Sequence, residues 1–270
     1  MRLNPFLALV LLSAPLAWAE GPAPLINPTG GQVDSAAALP ADASVDQVLD
    51  ALDQRGKTMR EFTAKVSDKT GNPDLGEDTT STGRIWFQKI GEDDGRIHVI
   101  FDKKKEGKIT KDEKTEYLLE NGWFTDRNYH KNVQTRRQVT KPGEKINLLK
   151  LGEGAFPLPI GQKKEDVHKL FDVKEIAHSP KDPPDTIHLQ LTPKEGTHFA
   201  RRFGMIDVWV DRTRHFPVQI RTENPDKAEP HLTKLEDVQV NPPGGLKDSD
   251  FTLPPIEQET WTLHTEPYRE

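Results

Sequence analysis

Two acidic residues, Asp207 and Asp211, flank Trp209 in a stretch whose other members are apolar, a spacing that suits a pair of carboxylates working as acid and base. Alternation places both on the polar side of a strand, so they are expected to be solvent-facing charges before they are catalysts. Nine histidines raise the question of a metal, yet none sits in an H-x-H or H-E-x-x-H pattern. His98 lies between Ile97 and Val99, and His188 between Ile187 and Leu189, so each is expected on the polar face of a strand. The run from Asp102 to Glu113 overlays a calcium loop at its first (Asp102), sixth (Gly107), eighth (Ile109) and twelfth (Glu113) positions, but Lys104 puts an ammonium where an oxygen ligand belongs. A solvated, charged connection over 102–116 is expected instead. No G-x-S-x-G, phosphate-binding loop or dinucleotide fingerprint occurs, and Ser179 precedes Pro180 in a loop. No metal, no cofactor and no catalytic residue is assigned from the sequence.

The 270-residue chain has no cysteine, which excludes a disulfide framework, a thiol nucleophile and cysteine-ligated metal. Its 37 basic and 43 acidic residues give a net charge of −6, without the basic excess that nucleic acid requires. Arg2, the apolar run Phe6 to Leu12 and the small-x-small triplet Ala17-Trp18-Ala19 read as an export signal over 1–19, cleaved before Glu20. Residues 20–43 are rich in Pro, Ala and Gly and lack apolar periodicity, as a flexible tether does. Residues 44–256 are expected to form one domain, with 257–270 as a C-terminal extension. The mature protein is expected in the periplasm as a monomer.

The elements that must position any site follow from periodicity. Ser44 and Gln47 form a capping box, and Val45, Val48, Leu49 and Leu52 recur at helical spacing towards Met59. The period then becomes two: Phe62, Ala64 and Val66; Ile85 and Phe87; Ile97, Val99 and Phe101. Asn121-Gly122 between Glu116–Leu119 and Trp123–Thr125 predicts a tight hairpin. A second set of strands is carried by Ile187, Leu189 and Leu191; by Ile206, Val208 and Val210; by Phe216, Val218 and Ile220; and by Leu235, Val238 and Val240. Between the two sets, residues 144–171 combine a Gly/Pro-rich centre with short helical stretches, the second around Asp166 to Leu170. Successive strands without regular crossover helices favour an antiparallel meander in a mainly β fold.

Several stretches, in order, resemble the periplasmic outer-membrane lipoprotein carriers, the LolA-like family. They are Glu61–Val66, Gly83–Phe87, Glu120–Phe124, Leu189–Lys194 with its L-T-P-K, and Asp250–Pro255 with its D-x-F-x-x-P-P. The family's Arg-Pro motif is absent: Gln88 to Gly95 stands in its place, and no arginine is carried over. The resemblance implies an unclosed antiparallel β-barrel, a half-barrel with an N-terminal helix and a helical lid. It also implies a non-catalytic binding protein or chaperone that shelters lipoprotein acyl chains or other lipid and meets inner- and outer-membrane sorting proteins. The residues expected to line such a cavity are Phe62, Ile85, Phe87, Ile97, Val99, Phe101, Ile187, Leu189, Ile206, Val208, Val218 and Ile220, with Leu148, Leu149, Phe156 and Leu158 on the lid. A periplasmic sensor of the same fold, binding a lipid signal or an anti-sigma factor, is the alternative. An exported hydrolase ranks last, because no acid, base and nucleophile can be placed together.

Overall fold

The computed structural model describes residues 37–71, 78–91, 94–145, 148, 160–226 and 230–268. Helix α1 (Val45–Thr58) starts at the capping box: the Gln47 amide donates to Ser44 Oγ at 3.3 Å and the Ser44 amide to Gln47 Oε1 at 2.8 Å. Its stripe of Val48, Leu49 and Leu52 is fully buried. At Met59 the backbone turns extended and leads straight into the first strand.

Twelve strands then form one sheet. The first half is β1 (Glu61–Thr70), β2 (Thr79–Gly91), β3 (Asp94–Glu106), β4 (Ile109–Glu120), β5 (Trp123–Asn128) and β6 (Val133–Gln138). Helix α2 (Lys164–Leu170) introduces the second half, β7 (Phe171–Ile176), β8 (Thr186–Pro193), β9 (Met205–Asp211), β10 (Phe216–Glu223) and β11 (His231–Val240). A last strand, β12 (Thr262–Glu266), follows a segment holding two short 3-10 turns. The order across the sheet is β12-β6-β5-β4-β3-β2-β1-β11-β10-β9-β8-β7. Two meanders are therefore joined where β11 pairs with β1, and the sheet stays unclosed, with β7 and β12 as its edges. All pairs are antiparallel except β12 with β6, which is parallel.

The Asn121-Gly122 hairpin forms as read, with φ of +52° and +71° at the two positions. The 102–116 stretch does not. It is a long hairpin in which β3 runs on to Glu106 and β4 begins at Ile109 around Gly107, whose φ is +56°. Here charges replace apolar contacts: Glu106 accepts from Lys104 on its own strand at 2.8 Å and from Lys111 on the facing strand at 2.9 Å, and these two hydrogen bonds bring its carboxyl down to about 2. Strands β6 and β12 escape the sequence reading because their alternation is built from polar residues, and β7 (FDVKEI) because only Phe171 and Val173 carry its apolar phase directly after a helical stretch. The β2–β3 register shifts at Gly83, where the strands approach so closely that a Cβ would lie 1.7 Å from the Ile100 carbonyl oxygen.

Candidate functional site

Register places side chains in rows across the inner face of the sheet. One row runs Val240, Phe62, Phe87, Ile97, Leu119, Phe124 and then Arg137 and Glu266, from β11 to β12. The next runs Ala64, Ile85, Val99, Tyr117, Asp126 and Thr135. In the second half, Leu189, Val208, Ile220 and Thr233 lead to Asp68 on β1. Phe62 stacks on Phe87 at 5.4 Å and meets Phe216 edge-on at 5.0 Å, while Tyr117 bridges Phe101 and Phe124 at 6.2 and 6.0 Å. Stacked and edge-on rings at these spacings attract beyond the area they bury.

The structure brings the sequence-derived inner-face residues into one apolar cluster. Phe62, Ile85, Phe87, Ile97, Val99, Phe101, Ile187, Leu189, Ile206, Val208 and Ile220 are buried there, with the α1 stripe packed among them. Val218 is half-buried and packs against the cluster, at a bulge between Pro217 and Gln219 that shifts the strand's alternation. Of the lid residues, Leu148 is buried beside Gly95, whereas Leu149, Phe156 and Leu158 lie outside the described residues. Ile160 and Gly161 pack against α1: the Gly161 amide donates to the Leu52 carbonyl at 3.1 Å, and a Cβ on Gly56 would come within 2.2 Å of Gly161 Cα.

Besides Glu266, three ionisable residues that the sequence reading does not single out share this face. Asp68 is 8% exposed and accepts from Thr233 Oγ1 at 2.9 Å. Burial pushes its carboxyl up against the opposing pull of that hydroxyl and of His231. Burial likewise raises Asp126, opposed by the nearby Arg137 charge. Arg137 donates from Nε to Glu266 Oε2 at 2.6 Å. The signal was available: Asp68 continues the phase of Phe62, Ala64 and Val66, and Asp126 that of Phe124.

The outer face corrects the reading of the histidines and acids. His98 is only 3% exposed, stacked on Trp86 at 5.5 Å, because the chain after β11 crosses this face. His98 Nδ1 donates to the Asp250 carbonyl at 2.6 Å, Arg96 reaches Asp248 at 2.6 Å and lies over the Phe251 ring, and Arg127 donates to the Pro254 carbonyl at 2.7 Å. Beneath this strap Glu116 accepts from Tyr129 Oη and faces His98 Nε2 at 3.7 Å and Lys114 Nζ at 3.2 Å. Burial would raise the Glu116 carboxyl, but these partners outweigh it and bring it down to about 2.

Asp207 and Asp211 are not solvent-facing. Asp207 accepts from Gln190 at 3.0 Å and pairs with His188 Nε2 at 3.0 Å, whose ring stacks on Trp209 at 4.1 Å. Asp211 caps the turn that follows it, accepting from the Thr213 and Arg214 amides and from the Arg214 guanidinium. Both carboxylates thus have structural partners, and neither has a nucleophile beside it in those contacts. Among the described residues no group of three or more His, Asp or Glu side chains is arranged to hold a metal ion, and no helix is long and apolar enough to cross a membrane.

No protein-family model and no curated protein matches the chain. Among solved structures it is similar to an uncharacterized conserved protein from Thermus thermophilus (10% identity, TM-score 0.46, covering 82% of this chain and 98% of that one). It is also similar to a LolA superfamily protein from Nitrosomonas europaea (12% identity, TM-score 0.33, 78% and 98%). A third is a Pseudomonas aeruginosa MucA/MucB complex (13% identity, TM-score 0.41), where the match covers 76% of this chain and 59% of that one.

Proposed function

We propose that this protein is a non-catalytic binding protein or chaperone that shelters the acyl chains of a lipid or lipoprotein against the inner face of its unclosed sheet, in the periplasm. The observation that carries the reading is the composition of the two inner-face rows through Phe62 and Ala64: apolar and aromatic as far as Phe124 in one and Tyr117 in the other, then ionisable at Arg137 and Asp126. A core that only had to pack would gain from apolar residues at these positions, because burying a carboxyl or a guanidinium opposes folding. A surface that must accept an amphiphile needs both kinds. Keeping each acyl methylene from water is worth about 0.8 kcal/mol, so a carrier requires a long apolar track of this type.

The residues proposed to line the track are the twelve read from the sequence, with Leu148 at its mouth beside Gly95. Export by the 1–19 leader and hand-over between inner- and outer-membrane sorting proteins follow from the same reading. The test is titration of the full mature chain with a fluorescent fatty-acid methyl ester. Saturable binding that is reversed by excess detergent supports the reading, and absence of binding defeats it.

A further inference from the structure

Arg137 follows Phe124 in the longest inner-face row, with Glu266 as the row's last member, and only part of its guanidinium is accounted for. Nε is taken by Glu266. Nη1 is shielded from solvent yet has no hydrogen-bond partner among the described residues. A buried donor without an acceptor is costly, and such a group calls for a partner from outside the chain. The charges around it define that partner. Glu266 already neutralises the guanidinium, and Asp126 lies one strand over on the same face, so a phosphate or carboxylate would meet two acids. An uncharged oxygen acceptor meets no such repulsion.

We propose that Arg137 Nη1 donates a hydrogen bond to an ester or amide carbonyl at the polar end of an acylated ligand whose hydrocarbon lies along the row from Phe124 towards Phe62. This rests on the acyl-binding reading above and specifies its ligand chemistry. The two carbonyl sources are a diacylglycerol-type ester and the amide of an acylated peptide. Their shared feature is an acceptor one bond from the chain, without net charge.

The test uses the full mature chain and three probes: dipalmitoylglycerol, the dihexadecyl diether of glycerol, which lacks carbonyls, and an N-palmitoyl peptide, each competing with a fluorescent fatty-acid methyl ester. Wild type is expected to bind the diester about tenfold or more tightly than the diether, as one bond from a charged donor in a dry site allows. Arg137→Met is expected to lose that preference, the ratio of diester to diether affinity falling to about one, and Glu266→Gln to keep it. The stronger of the diester and peptide arms names the source. A water in place of the ligand carbonyl would leave wild type binding diester and diether equally, which overturns the proposal with acyl binding intact. Binding of none of the probes overturns the acyl-binding reading itself. If Arg137→Met does not fold, infrared spectra of wild type with carbonyl-labelled diester decide: a carbonyl band moved to lower wavenumber is expected, and an unmoved band refutes the assignment.

Discussion

Glu116 offers a direct test of how the outer face holds the C-terminal strap. Its side chain is 1% exposed and its carboxyl lies at about 2, below the ordinary 4.5, because the contacts with His98, Tyr129 and Lys114 outweigh the cost of burial. A folded-state value below the unfolded one means that the ionised group stabilises the protein above about pH 4.5 and that this contribution is lost as pH falls towards 2. At 1.36 kcal/mol per unit the contribution is about 3 kcal/mol, an order-of-magnitude figure. The perturbation is Glu116→Gln, and the assay is urea unfolding of wild type and variant at several values between pH 7 and pH 2.5. The variant is expected to be about 3 kcal/mol less stable at pH 7, with the gap narrowing steadily below pH 4.5 to about 1 kcal/mol at pH 2.5. Taking the difference between the two proteins cancels the other carboxylates. A gap that stays constant with pH would refute the electrostatic account and leave only a packing effect.

Asp68→Asn should act in the opposite sense. Burial raises this carboxyl, so its unfavourable ionisation grows as pH rises, and the amide should raise the melting temperature at pH 7 more than at pH 4; an equal or lower melting temperature at pH 7 contradicts this. Gly83→Ala should destabilise by about 1–3 kcal/mol or prevent folding, since its Cβ would collide with the Ile100 carbonyl oxygen, whereas Gly91→Ala, whose Cβ would meet only Asp94 Cβ at an ordinary 3.7 Å, should lose less than that in the same melt. Asp211→Ala removes two turn amide bonds and the Arg214 pair, and about 1–2 kcal/mol in denaturant unfolding is expected; an unchanged midpoint would mean that the turn holds without its cap. Mass spectrometry of the exported protein should find Glu20 at the N-terminus, and an intact Met1 would contradict the leader assignment.

What was legible in the sequence was whatever apolar alternation encodes. The capped helix, the Asn121-Gly122 hairpin and the strands through Phe62, Phe87, Val99, Leu189 and Val208 each announce themselves by a period that one buried face imposes. The rest failed for identifiable reasons. Strand β6 (VQTRRQ) carries too little apolar contrast to be seen, and β12 forms because β6 offers it an open edge, a long-range condition invisible in TLHTE. His98 and Glu116 read as solvated in the sequence because alternation reports only one face of a sheet. Their burial comes from a strap some 150 residues further along the chain, as the His98–Asp250 bond records. Asp207 was misplaced for a related reason, since its partners His188 and Gln190 lie on a different strand. The inner-face ionisable residues could have been found by extending the phase of β1 and β5 past the last apolar residue. Arg137 could not, because its meaning depends on Phe124 and Glu266 lying beside it in the sheet.

The central claim is that the inner face holds acyl chains in the working protein. Native mass spectrometry of the chain purified from its own host without detergent tests it most directly. A population carrying an added lipid or lipopeptide mass, released on mild activation and identified by fragmentation, is predicted. A single unliganded mass, from protein that also fails to take up added acyl probe, would contradict the account and identify the inner face as a packed core.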